Sequence, residues 1–329
     1  MVLEDSAAPD LAEKARPFVP KIAVDKRGKM TEDSRVTKNK TRRSTMKKQT
    51  DYVLPPGKVL VMRTCDKDMR GYGGFQWPES GPVECPDWDP AVQCGGGLHG
   101  LLWGEGSGDL LAIDEPEAKW LIVEVDFSYI VDLTATGSVK CKFQRGVVVF
   151  VGNQYSATKW LSEHGGQGRA IIGGTSTAGH RGTATAGDGG TSTAGHRGTA
   201  TAGDGGTSTA GHRGTATAGH RGTATAGDGG TSTAGIGGTS TAGHRGTATA
   251  GDGGTATAGD GGTATAGHRG TATAGDGGTA KTGEVGIIVL SWWDNKSERY
   301  RLSVGYVGED GIEANTFYRC DDSGKLVKA

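Results

Sequence analysis

Hydrophobic and polar residues follow one pattern in the first half of the chain and a different one in the second. Between residues 52 and 164, short apolar runs rich in β-branched residues are bounded by Gly, Pro or charged residues, which is typical of strands. The three clearest runs lie at 59–62, 119–125 and 146–151. After the last run, Ser156 can cap a short helix that ends before Gly165. We therefore predict a small α+β domain at residues 51–168.

From residue 173 to 284 the pattern is an octapeptide that repeats without insertion. The register begins Gly-Gly-Thr-Ser-Thr-Ala-Gly-His and continues Arg-Gly-Thr-Ala-Thr-Ala-Gly-Asp. In a strand, this alternation places both Thr side chains on one face and Ser or Ala on the other. Buried hydroxyls would each need a hydrogen-bond partner, so we expect Thr to face outward and Ala or Ser inward. The flanking Gly residues suit tight corners with positive φ.

Two octads form one coil of strand, corner, strand and corner in the simplest arrangement. Fourteen octads then give seven coils, whereas coils of three octads would leave a remainder. The chain is therefore predicted to be mainly β, with a narrow β-solenoid at residues 169–284. A disordered low-complexity array is the alternative, although a linker has no reason to keep a fixed register.

The segment after the array predicts a C-terminal β-hairpin cap at residues 285–329. Apolar stretches at 285–290 and 300–307 flank a polar turn around Asn295, and residues near Leu326 suit a further strand. An exposed sheet edge invites pairing with other chains, so the last coil needs a cover. The adjacent Trp292 and Trp293 are the expected cover.

Charged residues within the array occur only where corners are expected. One corner row holds His-Arg pairs interrupted by Asp228, Asp260 and Asp276, and the other row holds Asp188, Asp204 and Asp252. The pairs begin at His180, His196, His212 and His244. Interruption of a basic row moderates repulsion between like charges. Metal binding or pH sensing by the histidines is the alternative.

Charge and composition narrow the partner classes. The 329 residues carry a formal net charge of −1, which gives no overall reason to bind polyanions. Residues 1–50 are basic and poor in large apolar side chains, which predicts a disordered tail. Eleven Lys and Arg lie between Lys21 and Lys48, so nucleic acid is an alternative partner for residues 21–48.

Neither the first residues of the chain nor its cysteines suggest export. The first residues lack a basic and then apolar leader, and no stretch is long enough to form a transmembrane helix. The five Cys form no CxxC pair, which is typical of reduced thiols. The sequence therefore predicts a cytoplasmic protein without a membrane partner.

Candidate catalytic residues are few and follow no known spacing. His99, Glu105 and Arg63 are weak candidates for acid-base or nucleotide chemistry in the 51–168 domain. Cys85, Cys94 and His99 offer soft ligands, but their spacing is poor for zinc. We predict no metal and no cofactor, and the enzyme hypothesis is less favoured than a structural one.

The Thr-x-Thr-Ala-Gly units, paired as sixteen residues, resemble the coils of bacterial ice nucleation proteins and the outward Thr files of β-solenoid antifreeze proteins. The resemblance covers residues 173–284 and implies flat Thr ladders that order water. The recurring Tyr of ice nucleation coils is missing here. With its domain in front, the whole chain looks like uncharacterised bacterial or phage proteins that join an α/β domain to a Thr/Ala/Gly array.

Three functions compete at this point. The first is a non-enzymatic structural or interaction protein that uses the solenoid as a rigid spacer or display surface for an unknown protein. The second is binding of ice or ordered water, and the third is an activity in residues 51–168. A homo-oligomer is compatible with each. The expected binding surface comprises Thr183, Thr185, Thr199, Thr201, Thr215, Thr217, Thr247 and Thr249.

Overall fold

The computed structural model describes residues 52–329, except residues 114 and 138. The described residues belong to one compact unit. The basic tail and the nucleic-acid segment predicted at residues 1–50 and 21–48 lie outside this part of the chain. The architecture is mainly β, as predicted, with a small sheet domain followed by a β-solenoid of about seven turns.

The first domain is an antiparallel sheet of seven strands in the order β2-β7-β4-β1-β3-β6-β5. Its strands are β1 (Lys58–Cys65), β2 (Gly81–Glu84), β3 (Leu98–Leu102), β4 (Lys119–Asp126), β5 (Val131–Asp132), β6 (Cys141–Phe143) and β7 (Arg145–Gly152). Short 3-10 turns lie at Tyr72–Gly74, Gly108–Leu110, Phe127–Tyr129 and Thr134–Thr136. The three predicted apolar runs form β1, β4 and β7, which are adjacent at the centre of the sheet. Their apolar side chains supply the core on both faces.

Helix α1 (Gln154–Glu163) packs on this sheet through Trp160 and Leu161. The expectation that Ser156 caps the helix is wrong, because the N-cap is Asn153. The Asn153 side chain accepts from the Ser156 backbone N–H at 2.9 Å, and Ser156 Oγ accepts from the Asn153 backbone N–H at 3.0 Å. This reciprocal pair is a capping box that satisfies two otherwise free donors.

The solenoid consists of two parallel sheets that face each other. The first solenoid sheet contains β8 (Thr175–Ala178), β10 (Thr191–Ala194), β12 (Thr207–Ala210), β14 (Thr223–Ala226), β16 (Thr239–Ala242), β18 (Thr255–Ala258) and β20 (Thr271–Ala274). The second contains β9 (Thr183–Thr185), β11 (Thr199–Ala202), β13 (Thr215–Ala218), β15 (Thr231–Ala234), β17 (Thr247–Ala250), β19 (Thr263–Ala266) and β21 (Thr279–Thr282). Each residue pairs with the residue sixteen positions later, as Thr191 does with Thr207. Two octads therefore make one coil, as predicted.

The interior of the solenoid is built from alanine and serine. Inward alanines such as Ala216 and Ala248 are fully buried. Buried Ser208 joins the two sheets: its Oγ donates to the Ala200 carbonyl at 2.7 Å and accepts from the Thr217 N–H at 3.1 Å. Side chains this small allow the sheets to approach closely, so packing depends on their size.

Corners of the solenoid use glycine for two different reasons. At the second corner position, glycines such as Gly229 (φ +64°) alternate with arginines such as Arg221 (φ +53°), so this left-handed site also accepts Arg. The glycine after it has no positive φ. A Cβ on Gly222 would lie 2.7 Å from Ala218 Cβ, so close approach of the chain requires glycine there. Positive φ, which the sequence suggests for many of the corner glycines, is therefore found at the second corner position and not at the third.

Replacing Arg221 with glycine should stabilise the protein by about 1 kcal/mol, because a left-handed conformation is costly for residues with a Cβ. The matched change at the next position, Gly222→Ala, should destabilise it, since its Cβ has no room. Chemical denaturation followed by circular dichroism measures both free energies of unfolding. A loss of stability in Arg221→Gly would contradict the explanation.

The C-terminal segment adds one more parallel strand to the first sheet and then closes both sheets with antiparallel strands. β22 (Ile287–Asp294) pairs with β20, β23 (Arg299–Tyr306) pairs with β22, β24 (Tyr318–Cys320) pairs with β21, and β25 (Leu326–Lys328) pairs with β24. The last coil is covered by buried Ile288, Leu290, Ile312 and Tyr318. Trp292 packs on Gly324, and Trp293 remains 40% exposed. Aliphatic residues, rather than the tryptophan pair, therefore cover the last coil.

The N-terminal sheet domain covers the first coil. Ile172 is fully buried in the core of that domain, and its N–H donates to the Gly104 carbonyl at 3.0 Å. The Gly108 N–H donates to Asp188 Oδ2 at 3.1 Å, and the Glu105 carboxylate pairs with Arg169 at 2.8 Å. Both ends of the array are thus bonded to neighbouring structure.

Candidate functional site: the threonine faces and charged edges

All eight predicted binding threonines lie on the second solenoid sheet, and their side chains point away from the core. In each strand the first Thr is exposed and the second is half-buried, as for Thr199 and Thr201 in β11. The prediction omitted five residues that occupy the same rows. These are Thr231, Thr233, Thr263, Thr265 and Thr279. The sixteen-residue spacing of equivalent positions in the array could have identified them. We call these thirteen threonines the second Thr face.

This face presents a regular grid of hydroxyl groups. Neighbouring strands lie about 4.8 Å apart, and the two Thr of one strand lie roughly 6.6 Å apart. Among the described residues, one direct bond joins two hydroxyls of this face on neighbouring strands, between Thr263 and Thr279 at 3.3 Å. The hydroxyls of this face are therefore directed toward solvent at fixed spacing.

The first solenoid sheet carries a similar Thr face that is bordered at both ends. Helix α1 lies beside its start, where Tyr155 and Lys159 help to line a cavity of about 280 Å³ with Thr175 and Thr177. At its far end, Ile287 and Val289 continue the Thr rows with apolar side chains. On the second face, Lys281 replaces Thr in the last strand and lies 4.5 Å from the Phe317 ring. Helix α1 therefore borders the start of the first Thr face, whereas the start of the second Thr face is not bordered by this helix.

One edge of the solenoid, formed by the corners that follow the first-sheet strands, begins with a stack of imidazoles. The rings of His180, His196 and His212 are nearly parallel, with centroids 5.1 and 5.2 Å apart. Partial desolvation in the stack lowers the pKa of His196, and the charges of His180 and Arg197 lower it further. We call the corners at 180, 196, 212, 228, 244, 260 and 276 the histidine edge.

Aspartates at corners link successive coils. Asp228 Oδ1 accepts from the His244 backbone N–H at 2.9 Å on the histidine edge, and Asp204 accepts from the His220 N–H at 2.8 Å on the opposite edge. The two predicted rows of charged corners are therefore present. The aspartates satisfy outward-facing donors that histidine corners leave to solvent.

The weak catalytic candidates do not form one constellation. Arg63 stacks on the Trp77 ring at 4.1 Å and donates to the backbone carbonyl of His99 at 3.2 Å. Burial lowers the pKa of the Arg63 guanidinium to about 10 and lowers that of the His99 imidazole. Glu105 instead bonds Arg169 and the Ala170 N–H at the junction with the solenoid. The structure thus brings Arg63 and His99 together but uses Glu105 to fix the first coil.

The possible zinc ligands are also separated by their surroundings. Cys85 is buried, whereas Cys94 is exposed. Across residues 52–329 without the two gaps, no group of three or more His, Cys, Asp or Glu side chains is arranged to hold a metal ion. In the same part of the chain, no helix has the length and apolar character needed to span a membrane.

Comparison with known proteins gives one domain family and several ice nucleation proteins. Residues 59–158 match a domain family of unknown function, DUF7666. Over 107 residues the chain is 39% identical to the ice nucleation protein InaU of Pantoea ananas and 40% identical to an ice nucleation protein of Pseudomonas fluorescens. These stretches are 32% of this chain, and 10% and 9% of those proteins. No solved structure is significantly similar.

The chain therefore spans a tenth or less of the length of these curated relatives. Together with the parallel Thr-rich coils, this similarity confirms the resemblance of the array to ice nucleation repeats and shows a structural repeat protein. The prediction of a cytoplasmic location is wrong on the same ground. Ice nucleation proteins are surface proteins anchored at the outer membrane, which conflicts with a cytoplasmic location.

Proposed function

We propose that this protein is a non-enzymatic structural repeat protein whose second Thr face binds ice or orders water. The observation that carries the proposal is the grid of outward threonines in register over successive coils, as in the pairing of Thr199 with Thr215. Hydroxyl groups at fixed spacing hold water at fixed spacing, because the stacked strands cannot move independently. The relatives named ice nucleation proteins support this assignment.

A rigid spacer is the second candidate, and the contacts at the two ends of the array favour it. The sheet domain bonds the first coil through Gly104 and Gly108, and the cap continues the last coil through β22. Such an arrangement would hold the two ends about 33 Å apart, given seven coils at about 4.8 Å each. The spacer requires no particular chemistry on the Thr faces.

Ice shaping and thermal hysteresis of the purified full chain test the first proposal. We expect activity in the wild type and its loss in the double variant Thr185→Lys, Thr201→Lys. Long charged side chains there would interrupt the hydroxyl grid, while substitutions of outward residues change stability little. Circular dichroism confirms that the variant keeps its β structure.

The matched control places the same change at the same coils of the other sheet. We expect Thr177→Lys with Thr193→Lys to retain the activity, because these residues lie on the first Thr face. Equal losses in both double variants would overturn the assignment to the second face. An inactive, folded wild type would leave the spacer as the better proposal.

A further inference from the structure

The charges of the corners along the histidine edge are antisymmetric about the middle of the row: corners at equal distances from the middle have opposite signs. Between the second and seventh coils, the corners are cationic, cationic, acidic, cationic, acidic and acidic. They are His196–Arg197, His212–Arg213, Asp228–Gly229, His244–Arg245, Asp260–Gly261 and Asp276–Gly277. Reading the row from its other end and reversing every sign gives the same row. Such an order is self-complementary under a two-fold rotation.

We propose that the histidine edge is a surface for self-association, along which a second copy of this chain docks antiparallel. A two-fold axis between corners 228 and 244 places corner 196 opposite 276, corner 212 opposite 260, and corner 228 opposite 244. All six pairs across the axis then join a cationic corner to an acidic one. This inference uses the edge alone and does not depend on binding of ice.

The charged groups of this edge are available for such contacts. Arg197, Arg213 and Arg245 are exposed, and so are Asp228 and Asp260. In the described part of the chain, the ion pairs within 4.0 Å all lie outside the solenoid corners. A second copy would supply counter-charges that neighbouring coils of the same edge do not provide.

The opposite edge does not have this property. Its corners are Asp188, Asp204, His220–Arg221, Ile236, Asp252, His268–Arg269 and Glu284. Over the same second to seventh coils, a two-fold axis between corners 236 and 252 would place acidic Asp204 opposite acidic Glu284 and join two cationic corners, those at 220 and 268. The charge order therefore assigns self-association to the histidine edge, and one edge per chain gives a closed dimer rather than a filament.

The hairpin at the end of the solenoid extends the same contact. Residues 287–290 of β22 pair with β20. Residues 291–294 of β22 and their partners 299–302 of β23 extend further, past the corner of the solenoid. Trp293 and Tyr300 lie on this projection, 5.0 Å apart and exposed. In the proposed register the projection lies one coil beyond corner 276, opposite corner 180 of the second copy. Arg181 can then meet an aromatic surface, which cations favour.

The contact is small, so the association should be weak and reversible. Five coil steps of about 4.8 Å span roughly 24 Å, and an edge that is one corner wide buries less surface over this length than the roughly 1,200–2,000 Å² of a standard stable interface. Exposed charge pairs are screened by salt and each contributes little. We therefore expect a dimer at high protein concentration and low ionic strength. The dimer would place two pairs of Thr faces side by side.

Sedimentation velocity of the full chain, at protein concentrations up to about 0.5 mM and at ~20 and ~500 mM NaCl, tests the proposal. The wild type should form a dimer at low salt and a monomer at high salt. Two variants exchange corner dipeptides that the array already uses, so the backbone can accept them. The basic-edge variant carries Asp228→His, Gly229→Arg, Asp260→His, Gly261→Arg, Asp276→His and Gly277→Arg. The acidic-edge variant carries His196→Asp, Arg197→Gly, His212→Asp, Arg213→Gly, His244→Asp and Arg245→Gly.

Each variant alone should dimerise at least about tenfold more weakly than the wild type, because like charges then face each other. An equimolar mixture of the two should restore a dimer that contains one copy of each. The control variant Asp204→His, Gly205→Arg, Asp252→His, Gly253→Arg changes the opposite edge and should dimerise like the wild type. A wild type that stays monomeric under all conditions, or a mixture without a mixed dimer, would overturn the proposal.

Discussion

Replacing Ala216 with leucine should destabilise the solenoid by about 3 kcal/mol or more. Ala216 is fully buried in β13, where the two solenoid sheets face each other across small side chains. Three additional carbons cannot be placed without separating the sheets, and adjacent coils repeat the same tight contact at Ala200. Denaturant titration of the β circular dichroism signal measures the loss.

Serine at the same position is the matched control. The array already buries Ser208, Ser232 and Ser240 at equivalent inward positions, where their hydroxyls find partners in the facing strand or its backbone. Ala216→Ser should therefore cost less than about 1 kcal/mol. If leucine were tolerated as well as serine, the interior would be looser than its alanine packing indicates.

The size of the inward residue explains why much of the solenoid could be predicted from the sequence. A strand has a period of two, so an octad with Thr at alternate positions can present either Thr or Ala to the interior, and the cost of burying hydroxyls decides between them. The constant spacing of octads then sets the coil at sixteen residues. Thr191 and Thr207, which pair in the structure, are related by this spacing alone.

Features that depend on contacts distant in sequence could not be predicted in the same way. The pairing of Glu105 with Arg169 joins residues 64 positions apart, and no motif marks either of them. The helix cap shows a local ambiguity: Asn153 and Ser156 are both good caps, and only the backbone reveals that Asn153 precedes the first turn. For the same reason, the sequence could not show that Glu105 bonds Arg169 instead of forming a site with His99.

The charged corners of the solenoid could be predicted from the sequence only in part. The sequence identifies the rows of charged corners because they recur every sixteen residues. It does not reveal that arginine takes the left-handed conformation that glycine takes in other coils, as Arg245 (φ +55°) and Gly261 (φ +64°) do on the histidine edge. This interchange allows charge to vary along an edge while the backbone remains constant. Charge order, and with it any preference for a partner, can therefore change without altering the fold.

The double change Ile288→Asp, Leu290→Asp in β22 should abolish the stable monomeric solenoid. Both side chains are buried above the last alanines, and carboxylates there would be surrounded by the mainly apolar side chains of this cluster. Burying an unpaired charge costs several kcal/mol, so the hairpin should detach instead. The exposed edges of β20 and β21 would then be free to pair with other chains.

Light scattering coupled to size-exclusion chromatography should show large aggregates of this variant under conditions where the wild type forms monomers and weak dimers. The matched control, Ile287→Asp with Val289→Asp, changes the same strand at its outward positions and should remain soluble and folded. If both double variants behaved alike, β22 would act through its backbone pairing with β20 rather than through its buried side chains. Aggregation confined to the inward variant would show that these two aliphatic side chains hold the cap on the last coil.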